Sequence, residues 1–261
     1  RCQNLRGIVL RRAGRHQEAL SVYEEALKAA RDIGDSKLTR FLLNNSGLAL
    51  AYRGRYAEAL SRYKQALERC QQLGHRIDQA EYFINIGHAY YLLGRTDEAI
   101  STIRRGIHLA RQAGVNTDIA NGLVSLGVCY LDRGRLSAAD RSLHEGLRIA
   151  DSIPEAYYGV HAMLALARVQ LRHGTQSDAE TALVQAEDGL ERCRDAQMDW
   201  GIPYGLSVKA RALDALGRKA EALEASDEAT HLLDDLEGYE EQAIWYHHAQ
   251  ILVNLPQALR E

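Results

Sequence analysis

The reactive side chains of this sequence are not grouped in any pattern that supports a common catalytic chemistry. A phosphate-binding loop needs GxxxxGK[ST], a zinc peptidase helix needs HExxH, and a serine hydrolase turn needs GxSxG. None of these motifs occurs in the 261 residues. No nucleophile beside a base and no catalytic carboxylate pair is recognisable either. The sequence therefore predicts a protein that is not an enzyme.

The cysteines and histidines do not predict a metal site. Four cysteines are scattered singly along the chain: Cys2, Cys70, Cys129 and Cys193. They form no CxxC pair and have no histidine at ligand spacing. The adjacent His247 and His248 would point about 100° apart on a helix, so we expect ordinary interface or surface residues. We expect no cofactor, no metal and no disulfide, which fits a reducing cytoplasm.

Composition and charge narrow the class of partner. The net charge is −3, so no overall basic field favours direct binding to nucleic acid or to an anionic membrane. The apolar runs are too short for a spanning helix. With 21 glycines, 3 prolines and little β-branched alternation, the composition favours an all-α protein. The chain starts within a helical pattern and without Met, as expected of a segment of a longer protein.

An internal repeat is the strongest signal in the sequence. The stretches GRHQEAL, GRYAEAL, GRTDEAI and GRLSAAD begin at residues 14, 54, 94 and 134, and weaker copies begin at 174 and 217. The period is therefore 40 residues, with three extra residues between the last two copies, which we place in DAQMDWGIP. Two further glycine series share the period: Gly7, Gly47, Gly87 and Gly127, and Gly34, Gly74 and Gly114. Such a period predicts stacked helical hairpins.

The two kinds of glycine predict different local structures. The glycine of each GR turn is expected to end one helix with a positive φ, directly before the next helix begins. Gly47, Gly87 and Gly127 fall inside helices, where glycine is unfavourable, so we expect them to permit close approach of the paired helix.

These residues resemble the tetratricopeptide repeat family. The helix glycine is followed three residues later by an aromatic residue, as in Gly87 to Tyr90 and Gly127 to Tyr130, and then by the GR turn and small and aromatic positions. The pattern is specific in the first four repeats and looser after about residue 160. The period is longer than the usual ~34 residues and resembles the variant in kinesin light chains, Pins/LGN-type adaptors and bacterial MalT-like signalling proteins.

The resemblance implies a right-handed α-solenoid over residues 1–261. We expect a single domain of about six helical hairpins plus a C-terminal helix over 239–261, where Pro256 takes the place of the turn glycine.

In this family the first helix of each hairpin lines a concave groove. The resemblance therefore implies that ligand-binding side chains lie six, three and two residues before the helix glycine, and one and five after it. In the amino-terminal half these positions include Asn44, Asn45, Tyr52, Glu81, Asn85, His88, Asn121 and Ser125. A primary amide donates and accepts together, which suits a peptide backbone. Alternatively, these amides bind no ligand, and they are only hydrated on the inner helical face or form hydrogen bonds to an adjacent turn.

The same positions farther along carry a different chemistry: His161, Arg168, Arg172, Tyr204 and Arg211. Arg168 and Arg172 are one helical turn apart, and Arg211 is equivalent to Arg168 in the next hairpin. Three guanidinium groups that converge would accept an acidic ligand. Alternatively, they pair with local carboxylates such as Asp132.

The function that the sequence favours is a non-catalytic scaffold that binds a peptide or a partner segment in its groove. One alternative is a ligand-sensing domain of a bacterial signal-transduction ATPase or of a peptide-responsive transcriptional regulator. A second alternative is a structural spacer for oligomerisation. The expected partners are proteins or peptides, including other domains of the same chain.

Overall fold

The structure, a computed structural model, describes residues 2–74, 78–154, 156–233 and 247–252, and every regular element among them is a helix. Their bounds are α1 Cys2–Arg12, α2 His16–Asp32, α3 Ser36–Tyr52, α4 Tyr56–Gln72, α5 Gln79–Leu92, α6 Thr96–Ala113, α7 Asn116–Asp132, α8 Leu136–Ala150, α9 Ala156–His173, α10 Gln176–Asp195, α11 Ile202–Ala215 and α12 Lys219–His231. A 3-10 turn over Asp199–Gly201 precedes α11. The all-α prediction is confirmed.

The chain forms two compact units, Arg1–Cys129 and Tyr130–Glu261. In the first unit, α1 packs on α2, α3 on α4 and α5 on α6, and each hairpin then packs on the next through α2–α3 and α4–α5. In the second unit, α9 pairs with α10 and α11 with α12, and α10 packs on α11. The odd-numbered helices are called first helices below. That both units form one continuous solenoid stays a prediction.

The GR turns have the backbone that the sequence predicts. At the end of α3, Gly54 has a φ of +71°, which a residue with a Cβ atom adopts only with strain. Its N–H donates to Ala51 O at 3.0 Å, and the Arg55 N–H donates to Leu50 O at 2.9 Å. These two bonds satisfy the last carbonyls of the helix. All six predicted turn glycines have a positive φ, as do Gly34, Gly74 and Gly114.

The arginine of a GR turn starts the following helix. Arg55 donates from both Nε and Nη2 to the two carboxylate oxygens of Glu58, each at 2.7 Å. The same forked pair recurs between Arg15 and Glu18 and between Arg218 and Glu221. It places a carboxylate in the first turn of a helix, where the helix dipole favours negative charge.

The glycines inside the first helices face large side chains of the paired helix. A Cβ atom at Gly47 would lie 2.6 Å from Tyr63 Cε1, and one at Gly87 would lie 2.4 Å from Ile103 Cγ1. Both neighbours are buried, at 2% and 0% exposure. The close approach is thus confirmed, and the glycine makes room for an aromatic or branched side chain.

The irregular region and the last helix lie in the second unit. Between α10 and α11, Gln197 has a φ of +51° and the 3-10 turn follows, where the sequence places its three extra residues. Of the helix predicted over 239–261, residues 247–252 are helical, and the remainder, with Pro256, lies outside the described residues. No helix in the described part of the chain is both long and apolar enough to cross a membrane.

Candidate functional site

Exposure along the first helices follows the repeat register. Each of five first helices has a small residue at the same place in the repeat, called the small helix residue here: Gly47, Gly87, Gly127, Ala167 and Ala210. The position one residue after it is half-buried in all five: Leu48, His88, Val128, Arg168 and Arg211. The position three residues before it is buried in the same helices: Asn44, Ile84, Val124, Leu164 and Ser207. Within each unit, the first set therefore stays partly accessible to a ligand. The second set differs from the expectation, because it points between neighbouring helices rather than into a groove.

In the first unit, amides join consecutive first helices. Asn44 Nδ2 donates to Glu81 Oε1 at 2.8 Å, and Asn85 Nδ2 donates to Asn44 Oδ1 at 3.0 Å. Asn44 and Asn85 are only 2% and 7% exposed. Asn45 remains half-buried and donates to Asn4 Oδ1 at 2.9 Å. The predicted site residues Asn44, Glu81 and Asn85 thus lie together, and two of the three are buried.

Acidic groups surround this network. Burial raises the pKa of Glu81 above its usual value, although the hydrogen bond from Asn44 opposes the shift. Burial, together with the Glu81 and Asp78 carboxylates, raises the pKa of Asp118 to about 7. The half-buried face of α5 and α7 is therefore acidic, and part of its charge depends on pH near neutrality.

A buried arginine that the sequence analysis missed supports the network. Arg40 is 1% exposed and forms an ion pair of 2.6 Å with Asp78 Oδ2. Its Nη1 donates to Tyr82 Oη at 3.2 Å, and its guanidinium lies 4.4 Å from the Phe41 ring centroid. No local sequence signal indicated it, because the segment before Phe41 reads DSKLTR and is mostly polar, so Arg40 looks like an ordinary surface residue until its partners from α5 pack against it.

The remaining predicted residues of the first unit are less closely grouped. Tyr52 stacks on His16 with ring centroids 4.6 Å apart. His88 lies 6.3 Å from the Tyr91 ring, and burial lowers its pKa to about 4, so it is neutral near pH 7. Asn121 accepts a long hydrogen bond of 3.5 Å from Ser125 Oγ. These side chains are half-buried on their first helices.

In the second unit, an arginine joins α9 to α11. Arg168 Nη1 donates to Tyr204 Oη at 2.9 Å, and Arg168 Nη2 lies 3.3 Å from Asp132 Oδ1. His161 lies beside the rings of Tyr157 and Tyr204, with centroids 4.6 and 6.5 Å away. The structure thus brings three predicted residues together. Arg168 also pairs with Asp132, the local carboxylate named in the alternative interpretation of the arginines.

Arg211 has a different environment. It is half-buried, and no described residue forms a hydrogen bond or an ion pair with it. Burial lowers its pKa, and the Arg168 and Arg172 charges lower it further. One turn before it on α11, Ser207 Oγ lies 3.1 Å from His247 Nδ1. Burial, then Arg211 and Arg168, lower the pKa of His247 to about 4.

The two adjacent histidines fit the interface role predicted for them. His247 contacts Ser207 of α11, and His248 Nδ1 lies 3.0 Å from Ser226 Oγ of α12. In the described part of the chain, no group of three or more histidine, cysteine or acidic residues could hold a metal ion.

Comparison with known families identifies the repeat. A sequence profile described as "Tetratricopeptide repeat" matches residues 1–72 and 38–112, and a second profile of the same description matches 203–228. Together these matches cover more than half of the chain. No curated protein matches the sequence.

Solved structures share the fold at low sequence identity. NprR in complex with its cognate peptide NprX aligns with a TM-score of 0.71 and 16% identity, over 98% of this chain and 74% of that one. A Rap protein complexed with competence and sporulation factor gives 0.70 and 12%, over 97% and 85%. A signal-transduction ATPase with a tetratricopeptide repeat sensor from Pyrococcus horikoshii gives 0.65 and 12%, over 89% of this chain. The chain spans 33% of that ATPase.

Proposed function

Because the chain belongs to the tetratricopeptide repeat family, we propose that it is a non-catalytic scaffold that binds a peptide or an extended segment of a partner protein along its first helices. The observation that carries the proposal lies in the first unit, where the position one residue after each helix glycine is half-buried at Leu48, His88 and Val128. A single register that stays accessible over consecutive helices gives an extended chain regularly spaced contacts.

The side chains on this face of the first unit suit a peptide ligand. In the first unit, the accessible residues Asn45 and His88 offer polar groups beside the half-buried Leu48. Neutral His88 both donates and accepts a hydrogen bond, as a peptide backbone requires of its partner. The structural neighbour NprR was solved with its cognate peptide NprX, which supports the same class of ligand here.

A peptide-array measurement with the 261-residue chain tests this function. We expect a subset of peptides to bind, and Asn45→Ala combined with His88→Ala to weaken that binding at least about tenfold through lost hydrogen bonds. A matched control replaces an amide and a histidine that are exposed on second helices, Gln72→Ala with His108→Ala. Equal affinities of the two double variants, or no peptide bound above background, would contradict the proposal.

The ligand-sensing alternative has one specific support, the fold that this chain shares with the sensor-bearing ATPase. Under that alternative, ligand binding would bias the arrangement of the chain and so control an attached effector domain. Ligand sensing requires the same binding face, so the peptide-array measurement is also the first test of this alternative.

A further inference from the structure

Helix α1 exposes an apolar stripe, two positions of which are buried in every later first helix. The stripe consists of Cys2, Leu5 and Val9, which lie on one helical face at i, i+3 and i+7 spacing. Cys2 is exposed, and Leu5 and Val9 are 64% and 66% exposed. The residues equivalent to Val9 are at most 1% exposed: Ala49, Ala89, Cys129, Val169 and Ala212. The residues equivalent to Cys2 are also buried: Leu42, Tyr82, Gly122, Ala162 and Gly205.

The later hairpins show which element covers this face. A Cβ atom at Gly122 of α7 would lie 2.5 Å from Ile107 Cγ1 of α6. In the second unit, a Cβ atom at Gly205 of α11 would lie 2.7 Å from Leu190 Cδ2 of α10. Both α6 and α10 are the second helix of the preceding hairpin. The stripe on α1 therefore occupies the face on which a preceding second helix packs.

A basic residue beside the stripe indicates the charge of the covering helix. Arg6 of α1 is exposed, and its equivalent in α11 is Lys209. Lys209 Nζ forms an ion pair of 3.0 Å with Glu187 Oε1 of α10, the second helix that packs on α11. Helix α1 carries three arginines and no acidic residue, so a second copy of α1 would place like charges against each other. A helix with an acidic residue opposite Arg6 matches the face instead.

The size of the stripe favours a segment of the same polypeptide over an independent partner. A stable interface between separate proteins buries at least about 1,000 Å² in total. Three apolar side chains on an 11-residue helix supply only a small part of that area. A helix joined to α1 by a short turn needs less contact, because its effective concentration is in the range of about 1 mM or above. Successive hairpins of this chain are joined by such turns, as at Gly34 between α2 and α3.

We propose that α1 is the docking face for the second helix of one further helical hairpin, which precedes α1 in the same polypeptide and pairs an acidic side chain with Arg6. The apolar side chains of that helix cover Cys2, Leu5 and Val9, as α6 covers Gly122 of α7. Its carboxylate takes the place that Glu187 has beside Lys209. This contact goes beyond the peptide-binding function and does not depend on it.

The reactivity of the Cys2 thiol tests the contact, because Cys2 is exposed in the 261-residue chain and the other three cysteines are buried. The rate of alkylation by iodoacetamide is measured by mass spectrometry in the 261-residue chain and in the natural full-length polypeptide. We expect Cys2 to react at least about tenfold more slowly in the full-length polypeptide, because the docked hairpin must open before the reagent enters.

Variants of Arg6 test the ion pair. Arg6→Glu should remove most of the protection of Cys2 in the full-length polypeptide, because it places two carboxylates against each other. Arg6→Lys keeps the charge, as Lys209 does, and should retain the protection. Arg31→Glu changes an exposed arginine of α2 and is the matched control. Each rate is divided by that of the same substitution in the 261-residue chain, which removes the direct effect of charge on the thiol.

Three results would overturn the docking face. These are equal rates for Cys2 in the two polypeptides, a natural polypeptide with no helical hairpin before residue 1, and protection in the 261-residue chain that grows with its concentration. The third result would assign the face to a second copy of the chain. Protection of Cys2 that persists in full-length Arg6→Glu would overturn the ion pair.

Discussion

Asn85 Nδ2 of α5 donates to the side-chain oxygen Oδ1 of Asn44 in α3 at 3.0 Å, and Asn44 Nδ2 in turn donates to Glu81 Oε1 at 2.8 Å. The two amides join consecutive first helices through buried groups. Asn44 is therefore a structural residue between α3 and α5 as well as a predicted site residue.

We expect Asn44→Ala to lower the free energy of unfolding by about 2–3 kcal/mol, because it removes two hydrogen bonds and leaves buried polar groups without partners. The pKa of Glu81 should also rise further, since the Asn44 hydrogen bond holds it down. Urea unfolding and an NMR titration of Glu81 measure the two effects. The control is Gln112→Ala, which changes an exposed amide of α6 and should alter neither quantity. A Glu81 pKa that is the same in Asn44→Ala as in the wild type would contradict the hydrogen bond between the two residues.

Asp118 should make stability depend on pH. Its folded pKa of about 7 lies above the value of an unfolded aspartate, so the folded state binds more protons between pH ~4 and ~7. The free energy of unfolding therefore falls as pH rises through this range, and the loss is complete above pH 7. Asp118→Asn keeps the group neutral, so its stability should exceed that of the wild type by up to about 4 kcal/mol at pH 8 and match it near pH 4.

Urea unfolding of wild type and Asp118→Asn at several pH values measures this difference. Asp188→Asn, an exposed carboxylate of α10, is the control and should show no such trend. A constant difference between Asp118→Asn and the wild type across the pH range would count against the raised pKa.

Arg40→Ala replaces a buried charged residue and should lower the free energy of unfolding of the first unit by about 3–5 kcal/mol. The substitution leaves Asp78 without its cation and removes the guanidinium from above Phe41. Arg31→Ala, an exposed arginine at the end of α2, should cost little. Thermal and urea unfolding compare the two, and similar losses would mean that the buried pair contributes no more than a surface charge.

Replacing a turn glycine should lower stability because of its backbone conformation and not because of its packing. Gly54→Ala should cost about 1–2 kcal/mol, because alanine is strained at a φ of +71° although no atom lies within 4 Å of its Cβ position. Gly159→Ala of α9 is the control, where the nearest atom would be 3.4 Å away and φ is not positive. That change should be neutral or slightly stabilising. Equal losses at the two positions would refute the assignment of strain to Gly54.

The sequence by itself determined the helices, their turns and their period. Positive φ at Gly54 and its equivalents, and the close approach at Gly47, follow from residues within one hairpin, since turn and helix preferences act over a few positions. The family resemblance implied that His88 and Arg168 are accessible to a ligand, and both are half-buried on their first helices.

Only the tertiary structure decided which polar residues are buried and which charges have partners. Asn44 and Asn45 are neighbours of one type, yet the first is buried between helices and the second remains accessible. Arg168 has a carboxylate and Arg211, its equivalent in the next hairpin, has none among the described residues. The reason is physical: burial and pairing depend on side chains about 40 residues apart that meet only after the hairpins pack.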